Sequence, residues 1–264
     1  MKKGATELFG VELEFAGYLS RDKSIYEHSK ELQNKLCEKY NMIECIVSDT
    51  SIGIGSDDGR EIQLKPLSFN ELNNNKSQIA NLFIDLQKYN LFPDETAGMH
   101  IHYSLTKGFD YVVKFIYPFL IKLNDNLSIW WDYYTCSHAM LGFCDILDTI
   151  GFRQLSLDKS IFRHGVGGDV IQIKQKSNTR TLEFRMFESS MDPDLFMQRI
   201  HITKHIVDYL LDVSFRHRKA KNLKKFDIKS DFFSHLSDSA KKLYFDLANH
   251  PNNPRRIINN ENHK

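Results

Sequence analysis

Phe9, Val11, Leu13 and Phe15 alternate with Gly10, Glu12 and Glu14, and this pattern suits one backbone geometry. A period of two is a β-strand with its apolar set on one face and both carboxylates on the other. At a rise of roughly 3.3 Å per residue the two carboxylates stand about 7 Å apart, close enough to repel. Taken alone, Glu-x-Glu reads as a solvated acidic strand face. A cation over that face is the other way to accommodate it, and the rest of the chain decides between the two.

Three further stretches alternate in the same way. Glu61-Ile62-Gln63-Leu64-Lys65 is predicted as a strand ended by Pro66, with Ile62 and Leu64 opposite Glu61, Gln63 and Lys65. Gly98 to Leu105 alternates strictly, Met99, Ile101, Tyr103 and Leu105 facing away from His100, His102 and Ser104. Val170 to Lys174 and Thr181 to Phe187 predict a hairpin around Ser177-Asn178, with Glu183 and Arg185 on its polar face. Between these strands the spacing predicts helices over 24–40, 71–90, 109–131, 193–215 and 231–249, a short strand at 43–47, and a turn-rich connection over 49–59. Ser24 and Glu27 have capping-box spacing at the first helix. Residues 132–160 are mixed and receive no assignment. The pattern is α+β: an antiparallel sheet with helices covering its apolar face and a cleft on the other.

Composition bounds the function classes. The 264 residues are 41% hydrophobic and 26% charged, which suits one large domain or a domain with an appendage. A net charge of +1 predicts no bulk attraction to nucleic acid or anionic membrane, so a nucleic-acid partner is disfavoured though not excluded. Cys37, Cys45, Cys136 and Cys144 form no Cys-x-x-Cys pair, so neither a zinc site nor a disulfide framework is indicated. Met-Lys-Lys leads into the first strand with no signal-peptide pattern, and the apolar run from Phe115 to Ile121 is far too short to span a bilayer. A cytoplasmic location is the expectation. His201 and His205 have zinc-like i, i+4 spacing but no third ligand in view, so they read as a solvated or core-edge pair. The basic segment 216–229 reads as a solvated face, and the Asn-rich tail 251–264 as disordered.

If the four alternating strands share one sheet, its polar face carries Glu12, Glu14, Glu61 and Glu183 with His100, His102, Lys65 and Arg185. Clustered carboxylates raise one another's pKa unless counter-charge is present. Hard divalent cations such as Mg²⁺ or Mn²⁺ suit carboxylate oxygens with an occasional imidazole. Two such ions would offset four carboxylates and keep open positions for phosphate oxygens. Arg185 is placed to neutralise a transferring phosphoryl group.

These residues resemble the amidoligases of the glutamine synthetase-like superfamily, ATP-dependent carboxylate–amine ligases. The resemblance rests on Gly10-Val11-Glu12-Leu13-Glu14, Asp49-Thr50-Ser51-Ile52, Glu61 with Pro66-Leu67, Gly98-Met99-His100-Ile101-His102 and Thr181-Leu182-Glu183-Phe184-Arg185, in that order. It implies a curved antiparallel sheet with helices on its convex face and a catalytic domain over 1–215. It says nothing about residues 216–264, where a basic segment and C-terminal helix over 216–250, packed on that domain, are the expectation from the sequence itself. It implies Glu14 and Glu61 as ligands of one metal ion, and Glu12, His100 and Glu183 as ligands of a second that bridges the phosphates of ATP. His102 would lie near the nucleotide phosphates, Arg185 would contact the γ-phosphate, and Arg163 is similar to an arginine that binds phosphate or carboxylate. Lys65 stands where the family has a small residue, either as a substrate or phosphate contact or as a surface lysine. Asp49-Thr50-Ser51 departs from the family's Asp-Gly-Ser-like turn, and Gly165-Val166-Gly167-Gly168 from the asparagine that often follows the equivalent of Arg163.

The implied reaction joins a carboxylate to an amine (of an amino acid, polyamine, peptide or protein) through an acyl phosphate, with ATP and Mg²⁺ or Mn²⁺. Blocks from both sides of the cleft lie in one chain, which suits a monomer or a simple homo-oligomer. Two rivals differ in outcome: a phosphotransferase on the related guanidino-kinase fold would keep the phosphate on its product, and a non-catalytic nucleotide-binding module would turn nothing over.

Overall fold

The computed structural model describes residues 7–17, 25–49, 52, 58–93, 97–105, 112, 171–176, 179–216, 232–234 and 236–248. In chain order these form β1 (Glu7–Gly17), α1 (Ile25–Lys39), β2 (Ile43–Asp49), β3 (Asp58–Leu67), α2 (Phe69–Asn74) and α3 (Lys76–Lys88). Then come β4 (Leu91–Phe92), β5 (Gly98–Leu105), β6 (Ile171–Lys176), β7 (Thr179–Glu188), α4 (Pro193–Arg216) and α5 (Asp238–Ala248). The helix expected over 109–131 (all but Val112, which is helical and buried in the core), Ser24 of the first helix's expected capping box, Arg163, the basic segment 216–229 (all but Arg216) and the tail from Pro251 lie outside the described residues.

The strands make one open sheet in the order β2-β3-β1-β5-β7-β6, with the short β4 also on β1, and every pairing is antiparallel. The alternating residues sort as their period requires. Phe9, Val11, Leu13, Phe15, Ile62, Leu64, Met99, Ile101, Tyr103, Leu182 and Phe184 are all buried in one core. The helices supply the other half of that core: Leu32 and Leu36 from α1, Leu72 from α2, Ile79, Leu82, Phe83 and Leu86 from α3, and Phe196, Ile200 and Ile206 from α4. At roughly 25 cal/mol per Å² of apolar surface removed from water, this shared core is the main term holding sheet to helices. The architecture is therefore α+β, an open antiparallel sheet with helices against its apolar face. Among the described residues no helix is long and apolar enough to cross a membrane.

Several elements differ from their expected bounds, among them β2, expected over 43–47, which runs on to Asp49. Pro66 does not end its strand. β3 runs on to Leu67 because the register slips there, Val11 pairing Leu64 and Phe9 pairing Leu67, so the proline falls in a bulge and owes no ladder hydrogen bond. The helix expected over 71–90 is two helices. Ser68 and Glu71 close a capping box that starts α2 early, and the chain re-initiates at Asn75. The last helix begins at Asp238, after a separate helical turn at 232–234. At α4, the Asp192 carboxylate accepts from the backbone N–H groups of Asp194 (2.8 Å) and Leu195 (3.2 Å), with Pro193 in the first helical position.

His201 and His205 lie at the edge of the core, His201 edge-on to Phe69. Burial, with His201 and Lys204 beside it, pulls His205 down to about 4. Between there and the ordinary value of 6.5 the unfolded chain binds a proton that the folded chain does not. Folded stability must then decline as pH falls through that window. His205→Gln is expected to flatten the decline by about 1 kcal/mol, allowing for the ring's partial exposure, as read by urea denaturation at pH 7 and pH 4.5. An unchanged slope would remove His205 from the account.

Candidate metal centre

The polar face of the sheet is built by register. Glu12 lies opposite His100 across the β1–β5 ladder, Glu14 opposite Glu61 across β1–β3, and His102 opposite Glu183 across β5–β7. A bulge between Met99 and Ile101 shifts β5 against β7 by one residue, so that Met99 pairs Phe187 on one side of it while Ile101 pairs Phe184 and His102 pairs Glu183 on the other. Glu14, His100 and Glu183 are buried at 4%, 2% and 1% exposure, which is rare for charged groups without partners.

Two groups of donor atoms result, each with its members within 4.8 Å of one another: Glu12, His102 and Glu183, and Glu14, Asp49 and Glu61. In the first, His102 Nε2 is 3.0 Å from Glu12 Oε1 and 3.9 Å from Glu183 Oε1, and its Nδ1 is 3.5 Å from the Thr181 hydroxyl. His100 stands between the two groups. Its Nδ1 is 3.4 Å from Glu12 Oε2, 3.5 Å from Glu14 Oε1 and 3.7 Å from Glu183 Oε1. Arg185 Nη1 donates to Glu183 Oε1 at 2.7 Å and lies 3.4 Å from His100 Nδ1.

The second group is framed by backbone. Gly98 N–H donates to Glu14 Oε2 at 2.7 Å. A β-carbon at Gly98 would come within 3.1 Å of His100 Nε2 and 3.3 Å of Glu14 Oε2, so the strand approaches both side chains at a residue with no side chain of its own. Asp49 ends β2, where it pairs Gly59. A β-carbon at Gly59 would meet the Asp49 carbonyl and Ile52 at 2.3 Å, so glycine is what lets this strand end close against β3. Gln63 Nε2 donates to Glu61 Oε1, and Cys45 Sγ donates to Gln63 Oε1 at 3.1 Å.

The electrostatics divide in the same way. Burial alone would raise Glu12, but hydrogen bonds and charge from His100 and His102 more than offset it and hold the carboxyl below its ordinary range. Glu14 is pushed up by burial, against His100 and the Gly98 N–H. Glu61 is pushed up by burial and then by the charge of Glu12. Glu12 keeps its charge by pairing with imidazoles, while burial drives Glu14, and burial with the charge of Glu12 drives Glu61, toward protonation.

A hard divalent ion at roughly 2.1 Å from each ligand sets its ligand atoms about 3 Å apart in cis and about 4.2 Å in trans. The oxygen-only group of Glu14, Asp49 and Glu61 and the mixed group of Glu12, His102 and Glu183 have the donor chemistry for such an ion, and their atoms, within 4.8 Å of one another, need only small side-chain shifts to reach that spacing. Asp49 joins Glu14 and Glu61 although the sequence reading placed it only in a turn. Lys65 is exposed and its ammonium bonds Asn41 Oδ1 at 3.1 Å, in neither group.

No family model matches the chain, and no curated protein matches it. Among solved structures, a chain of the crystal structure of the complex between Prokaryotic Ubiquitin-like Protein Pup and its ligase PafA is similar at a TM-score of 0.38 and 13% identity. The match covers 78% of this chain and 47% of that one, so it spans about half the length of its solved neighbour. Likeness at that distance leaves function to be argued from the residues themselves.

Proposed function

We propose that the protein is an ATP-dependent carboxylate–amine ligase of the amidoligase type, with its catalytic domain over residues 1–215 on a curved, glutamine synthetase-like sheet. The observation that supports this reading is the pair of ion-competent groups side by side on one sheet face, with Arg185 beside them.

Glu14 and Glu61, with Asp49, hold one Mg²⁺ or Mn²⁺. Glu12 and Glu183 hold the second, with His100 and His102 as imidazole neighbours. Bound ions supply charge neutralisation and orientation for the phosphates of ATP. The chain's own contribution is positional. The Thr181 hydroxyl, 3.5 Å from His102 Nδ1, orients that ring so that Nε2 faces Glu12 and Glu183. Arg185 is held by Glu183 and contacts the γ-phosphate as charge moves onto it. His102 and Arg163 serve the phosphates, and Lys65 the outer rim of the cleft.

In this reading a substrate carboxylate oxygen bonds to the γ-phosphorus and ADP departs with the electron pair. An amine then adds to the acyl phosphate. Inorganic phosphate leaves and the nitrogen sheds a proton, which completes the amide. The substrates fall in the class of amino acids, polyamines, peptides or proteins.

The test is a panel of carboxylate and amine pairs with ATP and Mg²⁺ or Mn²⁺, read by phosphate release and by mass. The expected result is phosphate release coupled to a product lighter by one water than its two substrates. A phosphorylated product without phosphate release would instead indicate a phosphotransferase. Absence of both turnover and nucleotide binding would contradict the proposal.

A further inference from the structure

One edge of β1 contains a seam at the candidate metal centre. Along the edge away from β3, β5 pairs with β1 from Glu7 to Leu13, and β4 pairs with it at Ala16 and Gly17. Glu14 and Phe15 fall between the two ladders. The Glu14 carbonyl is not left bare, because the Ser189 hydroxyl, just beyond β7, donates to it across the seam. Ser189 is itself buried, and its N–H donates to the Ala97 carbonyl at 3.0 Å. Ala97 precedes Gly98, whose N–H holds Glu14 Oε2 at 2.7 Å. Glu14 is thus gripped at both ends, at its carbonyl by Ser189 and at its carboxylate by Gly98, and the two grips are tied together through Ala97.

The brace is anchored from the helical layer. Arg199 of α4, 3% exposed, donates to the Glu188 carbonyl at 2.6 Å and to Glu188 Oε1 at 3.3 Å, and it stacks over Phe187. Glu188 pairs Gly98 across β5–β7. The end of β7 cannot drift without moving Gly98.

We propose that Ser189 is a positioning residue for Glu14, bridging the β5–β4 seam so that Glu14 Oε1 stays turned toward its partners while Oε2 is held by Gly98. This rests on the metal reading above. Partners one layer behind a ligand typically change metal affinity by about 10–100-fold when removed. The Ser189 hydroxyl donates to the Glu14 carbonyl, while the Ser189 N–H bond to Ala97 is backbone and survives its removal, so only the ion at Glu14, Asp49 and Glu61 should feel the loss of the hydroxyl.

The experiment is a Mn²⁺ titration of the full-length chain without nucleotide, followed by electron paramagnetic resonance, for wild type, Ser189→Ala and Ser189→Thr, with thermal unfolding alongside. The expected result is two binding events in wild type, one weakened about 10–100-fold in Ser189→Ala with the other unchanged, and recovery in Ser189→Thr. Should the alanine variant not fold, Ser189→Cys, which keeps the volume and weakens the donor, is expected to show the same selective loss. Two wild-type affinities in Ser189→Ala, or equal weakening of both, would overturn the positioning role and leave the metal reading standing. No Mn²⁺ binding by wild type would overturn both.

Discussion

Glu183→Gln is expected to lower ATP- and Mg²⁺-dependent phosphate release by about a thousandfold or more while the chain stays folded. Glu183 is 1% exposed, lies in the donor group with Glu12 and His102, and carries Arg185 at 2.7 Å. Glutamine keeps the volume and an acceptor for Arg185 but removes the charge that an ion would need. A thousandfold loss corresponds to about 4 kcal/mol, the scale on which a positioned ion stabilises a phosphoryl-transfer transition state. The check is steady-state phosphate release on a substrate pair found for wild type, with circular dichroism and thermal unfolding as controls. Wild-type turnover in the variant would remove Glu183 from the catalytic machinery.

Glu61→Gln is expected to move stability in opposite directions with and without metal. Burial and the neighbouring Glu12 push the Glu61 carboxyl above its ordinary value of 4.5, so the folded chain holds its proton to higher pH than the unfolded chain. Stability without metal therefore falls as pH rises from about 4.5 through the raised value. An amide has no such cost, so at pH 8 the variant should unfold at a higher temperature than metal-free wild type. Mn²⁺ at a hundredfold over its Kd should stabilise wild type by about 2.7 kcal/mol, a shift of roughly 5–10 °C for a chain of this size. The variant should gain much less. A variant destabilised without metal and fully responsive to it would mean that Glu61 is a structural residue.

The strands were legible because two faces of one sheet meet different surroundings. Over Phe9–Phe15 of β1, Met99–Tyr103 of β5 and Leu182–Phe184 of β7 every second residue enters the core, and alternation alone assigns Glu12, Glu14, His100, His102, Glu183 and Arg185 to the other face. What alternation does not carry is register. That Phe187 stands level with Met99 and joins the core, off the parity of Leu182 and Phe184, depends on the bulge between Met99 and Ile101, a backbone feature with no signature in the side-chain pattern. Asp49 was hidden for a related reason. It sits at the last position of an edge strand beside glycine-rich sequence, where aspartate ordinarily marks a turn, and only its pairing with Gly59 shows that it reaches Glu61 and Glu14. The break at Asn75 left no trace in the apolar spacing, since Leu72 and Ile79 suit one continuous helix as well as two. The run Asn73-Asn74-Asn75 was the available signal. Ser189 could not have been found from sequence, because it acts across 175 positions on a carbonyl that lacks a strand partner only where two ladders fail to meet.

The central claim is that this sheet face binds two divalent ions. Crystals grown with Mn²⁺ and a non-hydrolysable ATP analogue, measured at the manganese edge, test it most directly. The predicted result is two anomalous peaks, one among Glu14, Asp49 and Glu61 and one between Glu12 and Glu183 beside His102, with the analogue's phosphates near Arg185. Ordered Glu12, Glu14, Glu61 and Glu183 carboxylates with no anomalous peak between them would contradict it.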